Sequence, residues 1–173
     1  MRTASDAAHL VRRFVANLDP RGPEPASEAW AVRHLSAAEL VLWQSMGGPD
    51  RRHSLGVAVE AVSRLGERPE LVRAALMHDV GKVGAGLGLM GRVVATVVEV
   101  AGLQEAVRRS HVRSGRWAGL VAYADYPETG AALLRDAGSP ELVWRWAAEH
   151  HMEQQQWTVA PDVGAVLADC DDC

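Results

Sequence analysis

The chain contains no isoleucine, one phenylalanine, one asparagine (Asn17) and one lysine (Lys82) in 173 residues. Its two cysteines, Cys170 and Cys173, cannot build a disulfide framework, so a reducing, cytoplasmic setting is expected. No run of about 18 residues is both apolar and free of charge, so no membrane span is expected. The opening MRTASDAAHLVRRF carries charges where a signal peptide needs an apolar stretch. Positive charge is not in excess either: 18 Lys and Arg stand against 22 Asp and Glu, a net charge of −4. That removes the electrostatic case for nucleic acid or an anionic membrane as the main partner.

What is present fits an ordinary globular chain, 48% hydrophobic and 23% charged. The length suits one domain with an appendage. We divide it into residues 1–27, an N-terminal helix with a proline-rich linker, and residues 28–173, a helical domain. Apolar residues recur at spacings of three and four, and strict alternation is rare, so the expected class is all-α. His9 to Leu18 carries a helical stripe. Asp19 to Ser27 holds three prolines and a glycine and reads as linker. Ser36-Ala-Ala-Glu39 is a capping box at a helix start. Helices are expected over 50–65, closed by Gly66, and from Pro69 to a break at Gly81. Gly81 to Gly91 reads as a loop, the valine-rich RVVATVVEV at 92–100 as helix, and 104–124 as one or two more. A helix from Pro127 stops at Gly138. The next starts with Ser139 as N-cap and Pro140 at the first position, and runs into His150 and His151. A loop over 152–161 leads to a last helix over 161–172.

Histidine and aspartate gather at helix ends. His53 lies on one helix, His78-Asp79 closes the next, His150-His151 closes a later one, and Asp169, Asp171 and Asp172 fall on the last. Imidazole nitrogen with carboxylate oxygen suits a first-row transition metal or Mg²⁺. Neighbouring residues in a helix diverge by about 100°. The break at Gly81 therefore matters, because it lets His78 and Asp79 both reach one ion. A bundle whose helix ends each contribute one or two ligands can close such a cage.

The strings RRHSLGVA around His53, AALMHDVGK around His78 and Asp79, EHH at 149–151 and LADCDD near the end resemble the HD-domain superfamily of metal-dependent phosphohydrolases. YPETGAALL is similar to a helix start in its HD-GYP branch. The resemblance spans roughly 45–172 and implies an HD-type helical bundle with an extra N-terminal helix. It implies metal ligands at His53, His78, Asp79 and a late aspartate. That aspartate is Asp169 by the apolar-Ala-Asp string. The stripe of Val163, Val166, Leu167 and Cys170 instead puts Asp171 nearer the buried face. Asp79 would also position the attacking water, and Lys82, with His150 and His151, would bind the substrate phosphate. The implied cofactor is a divalent ion (Mn, Fe, Co, Ni, Zn or Mg), and the implied partner is a small phosphorylated substrate, such as a nucleotide. The chain departs from two-metal relatives at Tyr126, where they usually place a histidine, which favours one ion.

Two other readings stand beside the hydrolase: a degenerate HD domain that binds a nucleotide or a partner protein without turnover, and an HD-type di-iron oxygenase. The remaining features read as structural. GKVGAGLGLMG lacks the spacing of a Walker A loop. Arg108, Arg109, Arg113 and Arg116 form a solvated face, and Cys170 and Cys173 form a terminal CxxC without a second pair. Trp30, Trp43, Trp144, Trp146 and Trp157 read as packing residues. Lys82 is the exception. A composition that replaces lysine everywhere else points to a position where a compact ammonium does what a guanidinium does not.

Overall fold

Glycine, proline and buried acid residues set where the helices begin and end. The computed structural model describes residues 19–85 and 125–172. Among these there are seven α-helices and no strand, so the class is all-α. The helices are α1 (Pro25–His34), α2 (Ala37–Ser45), α3 (Gly48–Leu65), α4 (Pro69–Met77), α5 (Tyr126–Asp136), α6 (Glu141–Glu149) and α7 (Pro161–Asp171). Short 3₁₀ turns occupy Val80–Ala85 and Gln154–Gln156. None of the described helices is long and apolar enough to cross a membrane.

Helix α4 is the central element. Leu71, Val72, Leu76 and Met77 are at most 1% exposed, so the helix is apolar nearly all round, as a core helix must be. Each such large side chain contributes roughly 1.5–3 kcal/mol by leaving water. Helix α3 packs against one side of α4 and α6 against another. Helix α5 pairs with α6, α7 lies on α3, and α1 rests on α4 and α3. Trp43 and Trp146 fill the largest volumes of the same core, with Leu134 and Leu167.

Several boundaries agree with the sequence signals. The Ser36–Glu39 capping box forms in both directions. Gly66 and Gly138 take positive φ (78° and 71°), where a side chain would be strained. Three expectations are corrected. Helix α1 starts at Pro25, inside the stretch read as linker, because proline suits the first helical turn as well as a loop. It therefore crosses the proposed boundary between 27 and 28. Ser139 does not cap α6. The N-cap is Pro140, and the Ser139 hydroxyl donates to Glu39 Oε1 at 2.8 Å. The fully buried Glu39 carboxylate thus joins α2 to the start of α6, its other oxygen accepting from the Ser36 amide. Third, the segment after Gly81 begins as a 3₁₀ turn rather than an open loop. The helix expected at 9–18, the glycine-rich stretch beyond 85, RVVATVVEV and the helices over 104–124 lie outside the described residues.

Gly81 fixes the turn that follows the His78-Asp79 doublet. A Cβ there would stand 1.9 Å from the Tyr126 carbonyl oxygen and 2.7 Å from the Gly130 amide nitrogen. Backbone lies directly on backbone, so nothing can move aside cheaply. Gly81→Ala should cost more than about 3 kcal/mol in urea unfolding, well above a typical point substitution. A cost below about 1 kcal/mol would show that the turn is not pinned against α5.

Candidate metal centre

His78 is the C-cap residue of α4, in αR conformation. Its Nδ1–H donates to the Ala75 carbonyl at 2.8 Å, which fixes the ring orientation and points Nε2 inward. That Nε2 is buried and has no hydrogen-bond partner. A buried polar atom left this way needs an explanation. Asp79 Oδ2 and Asp171 Oδ1 each stand 3.5 Å from it. On the far side, His53 Nε2 lies 2.7 Å from Asp171 Oδ1. One ligand atom each from His53, His78 and Asp171 falls within 4.8 Å of the others, a spacing that could hold a metal ion.

Helix geometry explains this convergence. His53 sits on α3, His78 at the end of α4, and Asp171 is the last residue of α7. In α7, Val163, Gly164, Leu167 and Cys170 are buried, and Asp171 follows Leu167 by four residues, on the same face. Asp169 is the correction. It points away, 65% exposed, and pairs with Arg64. The apolar-Ala-Asp string picks the exposed face of the helix, whereas the buried stripe picks the aspartate that faces His53 and His78.

Asp79 stands beside the three-residue group rather than within it. Its Oδ2 accepts from Lys82 Nζ at 2.6 Å, and its Oδ1 lies 3.7 Å from His150 Nε2. The 3₁₀ turn brings residue i+3 over residue i, so the pair follows from the HDxGK spacing. Lys82 also stacks 5.0 Å above the Tyr126 ring.

His150 repeats the construction of His78. It caps α6, and its Nδ1 donates to the Ala147 carbonyl at 3.0 Å. Its Nε2, however, accepts from the Tyr126 hydroxyl at 3.0 Å. The exposed His151 reaches the same hydroxyl at 2.5 Å. Of the two histidines expected near substrate, His151 is therefore at the surface, while His150 is buried and engaged by the phenol.

The charges follow from these contacts. Burial works against a proton on His78, but Asp79 and Asp171 outweigh it and raise its pKa to about 9. Burial alone would raise the Asp171 pKa, yet His78 and His53 hold it well below the usual carboxylate range. Asp79 is likewise depressed despite burial, chiefly by Lys82 and then His78. His150 is pushed down to about 3 by burial, with His151 and His78 adding to the effect. The centre thus demands positive charge at His78 Nε2, and a divalent ion meets that demand as a proton does. The residues present fit a metal.

No family model, curated protein or solved structure matches the chain significantly.

Two supports are not legible in the motifs. Tyr126 is one. Glu149, buried at the end of α6, is the other: its Oε2 accepts from the Thr158 and Val159 amides at 2.6 and 3.2 Å. Trp157 Nε1 donates to the Glu149 and Met152 carbonyls at 3.1 Å each. Together they hold the segment behind the two histidines. An acidic residue at the apolar end of α6 was the available signal.

His53→Ala and Asp171→Ala should each lower retained metal by at least about tenfold, by mass spectrometry of purified protein, since each removes one of three donors. Asp169→Ala should leave retention unchanged, because its exposed carboxylate pairs with Arg64, away from the three donors. Equal loss in Asp169→Ala and Asp171→Ala would contradict the assignment.

Proposed function

We propose that the protein is a metal-dependent phosphohydrolase of HD-domain type, acting on a phosphoester such as a nucleotide. The observation that carries this reading is the orphaned His78 Nε2, which faces two carboxylates and a second imidazole in the core. His53, His78 and Asp171 would hold one divalent ion, of which Mn, Fe, Co, Ni, Zn and Mg are the candidates. Such an ion supplies Lewis acidity toward water and phosphoryl oxygens. Asp79, kept ionised by Lys82, accepts a hydrogen bond from the attacking water and so orients it. Lys82 meets the phosphate as a compact point charge. His151, at the surface, is a second contact for the anion.

One ion is proposed because Tyr126 engages His150, the imidazole that would serve a second. A di-iron oxygenase would need a second set of ligands. Among the described residues, one group of at least three histidine, cysteine and acidic side chains is spaced for a metal. The same engagement of His150 favours a second reading, an HD-type domain that binds a nucleotide or partner without turnover.

The test is a phosphoester panel run with each of the six metals. The hydrolase reading expects phosphate release from at least one ester. His78→Ala and Asp79→Asn should lower the rate by at least about 100-fold with helix content unchanged, as expected when metal and water positioning are lost. Retained metal with no release across the panel would overturn hydrolysis in favour of the binding reading.

A further inference from the structure

Lys82 and a metal would compete for the same buried carboxylate. Asp79 has a side chain only 3% exposed, and it needs a positive neighbour to remain ionised there. Lys82 Nζ supplies that charge at 2.6 Å from Oδ2. The same Oδ2 lies 3.5 Å from His78 Nε2, the inward nitrogen of the metal group. A divalent ion held by that group would lie near the carboxylate oxygen that Lys82 already pairs with. Like charges then share one carboxylate, and the ammonium pair is weakened.

The two cations differ in what they can do next. The metal group is fixed by three helices. Lys82 lies on a four-carbon stem in the 3₁₀ turn, with its side chain 19% exposed beside the fully buried doublet. Turning its three donors outward takes the ammonium off the Asp79 oxygen and away from the Tyr126 ring. We infer that Lys82 is a resident counter-cation to Asp79 that a divalent ion displaces, so that loading the His53–His78–Asp171 group converts the ammonium into an anion-binding group. Cation and anion binding are then coupled, each strengthening the other by the same factor. This inference rests on the metal reading above and adds an order of events: the protein takes a phosphate-bearing ligand well only after it has taken the metal.

The experiment is calorimetric titration of the full chain with Mn²⁺, and then with inorganic phosphate, for wild type and Lys82→Met. Removing the competing charge should tighten Mn²⁺ binding by about tenfold or more. Phosphate should bind Mn²⁺-loaded wild type about tenfold more tightly than Mn²⁺-loaded Lys82→Met, as loss of a charge-assisted contact implies. Lys82→Gln, which keeps a hydrogen bond to Asp79 without the charge, replaces Lys82→Met if circular dichroism shows that the latter has lost its helices. Mn²⁺ binding that is unchanged or weaker in the neutral variant overturns the inference, as does equal phosphate affinity in the two loaded proteins. Failure of wild type to take up Mn²⁺ at all would instead overturn the metal reading on which the inference stands.

Discussion

Two ionised carboxylates in a helical core, Asp79 and Asp171, are the constraint from which the centre follows. A carboxylate taken out of water must find positive charge or hydrogen-bond donors nearby. Asp171 finds His53 and His78, and Asp79 finds Lys82, with His78 beyond it. His78 stands between them with one nitrogen tied to the backbone and the other open. Removing any one partner takes compensating charge away from a carboxylate that has little access to water.

The fold serves that constraint by bringing chain termini of helices together. His78 closes α4 and His150 closes α6, while Asp171 ends α7. Helix ends are where backbone carbonyls lack intrahelical partners. Both capping histidines use such carbonyls to fix their ring orientation. The two imidazoles then diverge in use. His78 keeps its second nitrogen for the centre, and His150 gives its own to the Tyr126 phenol. Gly81 makes this possible by letting the doublet's turn lie against the start of α5, which carries Tyr126.

Much of this was readable from local chemistry. The capping box at Ser36, the stops at Gly66 and Gly138, and the helical class depend on short-range rules and appear where those rules put them. The histidines and Asp79 were singled out by residue type and spacing. Tertiary partners were harder to read. Ser139 has the look of an N-cap, but the buried Glu39 offers its hydroxyl a better acceptor. Asp169 and Asp171 differ by two residues and fall on different faces of α7, so only the burial of Leu167 and Cys170 separates them. Tyr126 appeared as a missing histidine. Its hydroxyl instead joins two histidines that follow it by more than twenty residues, a contact no local pattern encodes.

The most direct test of the account is anomalous X-ray diffraction from crystals of the full chain grown with Mn²⁺. The account predicts an anomalous peak bounded by His53 Nε2, His78 Nε2 and Asp171 Oδ1. A strong peak at another position, or none under saturating Mn²⁺, would contradict it.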